Sequence, residues 1–223
     1  NSPHTPRPEK IDKIGDLVLR NYAGGTANIG LHFEQYDDFI FAPILKQSII
    51  DAEPINNKHI TVYLSHYSDV RFEVFSKKAT STVVKDNVTF IPVSNDGFNK
   101  SMISSEGVIT GAGFETPAEA LYLGKKLLCL PIQGQYEQLC NAAALANFNV
   151  PIVQNIDEHF TSHVQSWLQS ASPKKLVLEQ STNYILNHVI ETGLALQKNK
   201  KHFSLENLLQ PDDVFSLQRP QFG

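Results

Sequence analysis

The sequence predicts an α/β fold with a doubly wound, mostly parallel sheet and a remnant of a second domain. Three observations carry that reading. From residue 59 onward, short β-branched runs alternate with helical segments, the order that builds parallel sheets covered on both faces. Three of the strand ends run into polar or glycine-rich loops: "SHYSD" (65–69), "GAGFET" (111–116) and "QGQYEQ" (133–138). The 223 residues are 41% hydrophobic and 19% charged, ordinary values that support one large domain and part of another.

Taken in order, residues 1–10 are Pro-rich and read as extended. "DLVLRNY" (16–22), "IGLHF" (29–33) and "DFIFAP" (38–43) read as short strands, with "GG" (24–25) as a turn. "ILKQSIIDA" (44–52) has helical spacing and stops before Pro54. "HITVYLS" (59–65), "FEVFS" (72–76) and "VTFIPV" (88–93) read as strands, followed by a helix around 96–104. Then come strand 107–110, helix 116–124, strand 126–132, helix 136–148, strand 150–153 and helix 157–170. A long helix is expected from just after Pro173 to about Gln197, with Leu176, Leu178, Tyr184, Ile185, Val189 and Ile190 as its apolar face. The last residues, 201–223, read as an irregular apolar tail that docks on something.

One connection is too short for this scheme. Only six residues separate strand 59–65 from strand 72–76, and a parallel crossover needs about a dozen or more. Either the two are not parallel neighbours or a helix is missing between them; "SHYSD" reads like a loop about to enter a helix, which favours the second.

Charge excludes one class of partner. The net charge is −4 with a pI near 6.1, and the basic residues are scattered apart from "KNKKH" (198–202), so no basic face for nucleic acid is expected. Cys129 and Cys140 lie in apolar segments and make neither a disulfide framework nor a metal quartet, which points to a reducing, cytoplasmic setting. No apolar stretch reaches the roughly 18 residues of a membrane span. The chain begins "NSPHTPRPEK", and its only Met is Met102, so it reads as a piece of a longer polypeptide.

Ligands of open parallel sheets bind beyond the carboxyl ends of the strands, where the three loops fall. Gly111 and Gly113 allow positive φ and close approach of a ligand, and the start of the following helix offers free N–H groups to a phosphate. The spacing G-x-G-x-x-T lacks the third glycine of a dinucleotide fingerprint, so NAD fits poorly. Thr116 and Glu119 also have the spacing of a capping box with Pro117 at the first helical position, which would explain them without a ligand. In the next loop Glu137, Gln138 and Asn141 cluster at a helix start, a set of donors and acceptors suited to a polyhydroxylated ligand. Solvated helix-start residues are the plainer alternative there.

Residues 107–153, "GVITGAGFETPAEALYLGKKLLCLPIQGQYEQLCNAAALANFNVPIV", resemble the donor-binding, Rossmann-like half of GT-B-fold glycosyltransferases. They are similar to the UDP-glycosyltransferases and to the bacterial N-acetylglucosaminyltransferase that makes lipid II. The closest likeness is to a bacterial group with "GFET-x-x-EAL" and "GQYEQ-x-x-NA"; over 55–195 it is looser.

The resemblance implies a nucleotide-diphosphate sugar donor, UDP-linked by preference, an acceptor of unknown kind, and no cofactor or metal. It places Ser65, Gly111, Gly113, Phe114, Glu115 and Thr116 at the diphosphate. Glu119 would hold the ribose, Pro92, Val93 and Phe98 would flank the base, and Glu137, Gln138 and Asn141 would meet the sugar. "SHYSD" replaces the usual Gly-rich first loop, and Lys126 stands where Pro is common. In such inverting enzymes a base deprotonates the acceptor hydroxyl; His32 and His66 are the candidates, although lone histidines beside aromatics are more often structural.

The implied domains are 1–43 as a remnant of the acceptor-side domain, 44–54 as an interdomain linker helix, 55–200 as the donor-binding domain and 201–223 as a tail. The tail would pack on the lost domain, on a second chain or on a membrane surface. The isolated chain is expected to bind a sugar nucleotide weakly and to transfer poorly. A non-catalytic donor-binding subunit of a split transferase and a sugar-nucleotide epimerase of the same fold remain as alternatives.

Overall fold

The computed structural model describes residues 2–21, 25–62 and 71–208, with side chains to residue 198. It divides into two compact units. One comprises residues 1–24 and 29–179, the other residues 25–28 and 180–223.

The first difference from expectation comes early. The sequence predicts a strand over residues 16–22, but α1 (Lys13–Asn21) is a helix. Asp12 Oδ1 accepts the Ile14 N–H at 3.0 Å, and Arg20 reaches back one turn to Asp16 at 2.7 Å. These local bonds close the first and last turns of a helix whose Ile14, Leu17 and Val18 face solvent. Gly15 lies against Tyr136: a Cβ added there would sit 2.6 Å from the Tyr136 Cβ.

β1 (Gly30–Leu31) and β2 (Ile40–Phe41) form a two-residue parallel pair, and α2 (Gln47–Ile50) is a single short turn of helix. Phe33, Leu45 and Ile49 from this stretch are buried in the main core. Residues 30–50 are therefore packed on the sheet domain through apolar side chains.

The sheet itself begins with β3 (Ile60–Val62), β4 (Phe72–Ser76), β5 (Val83–Lys85) and β6 (Val88–Pro92). β3 and β4 are parallel neighbours in register Ile60↔Phe72, so the option that they do not pair is overturned. Their connection lies at residues 63–70, outside the described residues. β5 was not expected. It forms an antiparallel hairpin with β6 through Asp86, whose φ of 52° is the turn conformation that Asp tolerates.

α3 (Asn95–Ser104) follows, capped by the Ser94 hydroxyl on the Gly97 N–H. Then come β7 (Gly107–Thr110), α4 (Glu115–Tyr122), β8 (Lys126–Cys129), α5 (Tyr136–Ala146), α6 (Phe160–Gln169) and α7 (Thr182–Leu208). The strand order is β5-β6-β4-β3-β7-β8, parallel except at β5. The chain winds outward through β4 and β6, then returns to add β7 and β8 on the other side of β3. The order therefore reverses between β3 and β7, the position at which a doubly wound sheet opens a ligand crevice.

Strand side chains alternate between two cores. Val108, Leu127 and Cys129 join Met102, Leu121 and Leu145 on one face. Ile109, Leu128 and Val74 meet Phe160, Val164 and Trp167 of α6 on the other. β7 and β8 are thus apolar on both faces, as central parallel strands are.

Three further expectations are corrected. Residues 150–153 make only a single bridge, Cys129↔Ile152, because Pro151 has no N–H to extend a ladder. The long helix starts at Thr182 rather than after Pro173. Lys174 N–H is spent on the Phe148 carbonyl and Leu176 N–H on the Leu121 carbonyl, so this stretch runs along the core and buries Leu176. Ser181 Oγ then accepts the Tyr184 N–H at the start of α7. Residues 201–208, expected as irregular tail, continue that helix, and 209–223 fall outside the described residues. Among the described residues no helix is long and apolar enough to cross a membrane.

Candidate functional site

The loop between β7 and α4 is held from below by α5. Gln138 Oε1 accepts the Ala112 N–H at 3.1 Å and the Ile132 N–H at 3.0 Å. Asn141 Nδ2 donates to the Ala112 carbonyl at 3.1 Å. Both backbone groups of the fully buried Ala112 are therefore gripped by two amides one turn apart on one helix face. Asn141 is buried and Gln138 half-buried, and Gln138 also donates to Gln135 Oε1 at 2.7 Å. Their polar atoms serve the loop's shape first.

Neither Gly111 nor Gly113 takes a positive φ. Gly111 instead sits close to the clamp: a Cβ there would lie 3.2 Å from Gln138 Oε1, a tight contact that would press on it. Gly113 has nothing within 4 Å of an added Cβ, so its side of the loop is open.

The capping-box expectation is corrected as well. α4 starts at Glu115 with Phe114 as N-cap and no side-chain cap, which puts Thr116 at the second position and Pro117 at the third. The first N–H groups of a helix have no internal partner, Pro117 has none to offer, and Ala118 N–H returns to the Phe114 carbonyl. The amides of Glu115 and Thr116 are left as the donors at this end, where the helix dipole favours an anion. At the other end, Gly124 takes φ 69° and closes the helix with Gly124 N–H on Leu121 and Lys125 N–H on Ala120.

Glu119 is one turn inside α4 and does not reach back to Thr116. Its side chain is 3% exposed, and Oε1 lies 3.0 Å from Lys46 Nζ. Oε2 is buried with no hydrogen-bond partner. Burial raises the Glu119 pKa, and Lys46 opposes that rise through its hydrogen bond and charge. Pro43, Lys46, Phe114, Glu115 and Glu119 are among the residues lining a cleft of about 100 Å³. That is room for one part of a ligand, since whole small-molecule sites run to several hundred Å³. Nothing in the spacing pointed to Lys46, because its partner is reached only through the fold.

His32 stands beside this loop, edge-on to Tyr36 at 4.9 Å and 6.4 Å from the Phe114 ring. Its Nδ1 accepts the Phe33 N–H at 2.9 Å, which assigns the proton of the neutral ring to Nε2. Burial, with Arg7 nearby, lowers its pKa to about 4. In this arrangement His32 offers a donor rather than a lone pair, and it is a weak base.

The other expected site residues distribute as follows. Ser65 and His66 lie outside the described residues. Pro92 and Val93 end β6, and Phe98 on α3 packs edge-on to Phe75 at 5.3 Å. Glu137 is exposed in the first turn of α5. Lys126 serves the fold, since its Nζ donates to the Leu168 carbonyl and, at 2.9 Å, to the Ser170 carbonyl, capping the end of α6.

A buried cation was not expected. Lys125 Nζ donates to the Ile55 and Ser105 carbonyls at 2.7 Å each, and burial lowers its pKa to about 8. It ties the segment before β3 to the end of α3. Among the described residues no group of three or more His, Cys, Asp or Glu is placed to hold a metal.

The class these features define is a doubly wound α/β domain whose helix α4 starts without a side-chain cap beside the switch point. Residues 32–171 match the family model of glycosyl transferase family 1, more than half of the chain, and the chain belongs to that family. No curated protein and no solved structure matches it. Membership supports glycosyl transfer as the activity.

Proposed function

We propose that this chain carries the donor-binding half of a transferase that uses a nucleotide-diphosphate sugar, with a uridine nucleotide favoured. The observation that supports it most is the pairing of two features at one helix end. α4 presents uncapped amides at Glu115 and Thr116, and one turn further it buries a carboxylate with an unsatisfied oxygen. Phosphate oxygens need donors, and ribose hydroxyls need an acceptor; α4 supplies both in the order in which a nucleoside diphosphate carries them.

In this reading the diphosphate meets the amides beside Gly113, Glu119 accepts from the ribose, and Pro92, Val93 and Phe98 flank the base. Glu137 reaches the sugar, with Gln138 able to add a donor from Nε2. Asn141 and the Gln138 carbonyl shape the loop. Fixed N–H groups stabilise the diphosphate as charge builds on it during transfer, without reorganising. Residues 44–54 act as the linker between this half and the acceptor side, which residues 1–43 belong to.

Calorimetry with UDP, GDP and their glucose and N-acetylglucosamine conjugates tests the reading. Binding of at least one, displaced by the free diphosphate, is expected; binding of none would overturn the donor-site assignment. Product formed from the donor alone, without acceptor, would reassign the chain to epimerisation.

A further inference from the structure

The arrangement around Glu119 leaves almost no carboxylate surface for a ligand to touch. Its side chain is 3% exposed, Oε1 is taken by Lys46, and Oε2 is enclosed. A hydroxyl can reach this carboxylate only if a neighbour moves. Lys46 is the neighbour built to do so: its side chain is 46% exposed, on a flexible four-carbon stem at the segment that enters α2.

The cleft also has a charge imbalance. Glu115 and Glu119 both line it, and Lys46 is the one cation among its lining residues. A diphosphate arriving at the amides of Glu115 and Thr116 would meet two carboxylates. It needs that ammonium to turn toward it, and the ammonium becomes free if ribose hydroxyls satisfy Glu119 in its place. An internal ion pair is then exchanged for one with the ligand, and the orphaned Oε2 gains a donor.

We propose that Lys46 is a latch on Glu119 that a nucleoside diphosphate opens, the ribose taking the carboxylate and the freed ammonium pairing with the diphosphate. The inference rests on the donor-site reading and adds to it a residue that tells nucleoside diphosphates from nucleosides. Lys46 acts twice, with opposite effects: it obstructs the ribose site and holds the phosphates.

The test uses the full chain as wild type, Lys46→Met and Lys46→Arg. UDP is titrated by calorimetry, or GDP if UDP does not bind. The matching nucleoside is followed by ligand-observed NMR. Lys46→Met is expected to weaken diphosphate binding roughly tenfold to a hundredfold, the worth of a charge-assisted bond. The same variant should bind the nucleoside as well as wild type or a few-fold better, because the latch is gone. Lys46→Arg should keep diphosphate affinity within a few-fold. Trp167 fluorescence confirms that each variant is folded.

Equal diphosphate affinity in wild type and Lys46→Met would overturn the latch and leave the donor site standing. Parallel losses of diphosphate and nucleoside would also overturn it, reducing Lys46 to a support for Glu119. Failure of wild type to bind either diphosphate would remove the donor site, and the latch with it.

Discussion

Replacing Asn141 with Ala tests how the glycine-containing loop is held. The amide donates to the carbonyl of Ala112, a residue with no solvent exposure, so truncation leaves that acceptor without a partner and without water. Leaving a buried group unsatisfied costs about 1–3 kcal/mol. Gln138 grips the N–H of the same residue, so the two losses should not add. Side chains sharing a partner couple by about 0.5 kcal/mol or more, and the Gln138→Ala/Asn141→Ala pair should depart from additivity by at least that. The assay is urea denaturation followed by the fluorescence of Trp167, the single Trp, which is buried against Gly107 in the same compact unit. A midpoint shift with unchanged m-value is expected. A change below about 0.5 kcal/mol for Asn141→Ala, or strict additivity of the pair, would refute the clamp.

Acid should destabilise this unit through His32. Its folded pKa of about 4 lies below its ordinary 6.5, so the unfolded chain binds the proton first and stability falls as pH drops from 6.5 toward 4. The full effect is about 3 kcal/mol, and His32→Asn, which keeps an acceptor for the Phe33 N–H, should flatten that part of the pH profile. Gly107→Ala would place a Cβ 2.8 Å from the Trp167 ring and should cost about 1–3 kcal/mol in the same urea assay, with a change in Trp emission. Lys125→Met strands two carbonyls, at Ile55 and Ser105, and should cost about 1–3 kcal/mol, read as a lower thermal midpoint.

The central strands were the most legible part of the fold. Phe72–Ser76 and Gly107–Thr110 appear where their apolar runs predict, because a parallel strand buried on both faces has no other way to satisfy its composition. Segments whose apolar residues are not in the core misled. "DLVLRNY" looks like a strand only if its apolar side chains are assumed buried; in the structure Leu17 and Val18 face water on a helix closed by Asp12 and Asp16. Leu176 looked helical because it precedes a helix, yet its N–H belongs to Leu121.

The site followed the same division. The glycine-containing turn and its amide cluster could be located from spacing, since strand ends and helix starts are local features. What those amides do was not legible, because the Asn141 and Gln138 partner, Ala112, is set by how α5 packs under β7. The Lys46–Glu119 pair was hidden for the same reason. Contacts between distant segments leave no periodic trace.

The donor site stands or falls on Glu119→Gln, measured by calorimetry with UDP or GDP against wild type and by urea denaturation. The change keeps the shape and removes the charge proposed to accept ribose hydroxyls, while Lys46 can turn to solvent. Nucleotide affinity is expected to fall about tenfold or more, the worth of a hydrogen bond to a charged group, with stability altered by less than about 1 kcal/mol. Unchanged affinity together with a loss of stability would make Glu119 a structural partner of Lys46 and contradict the account.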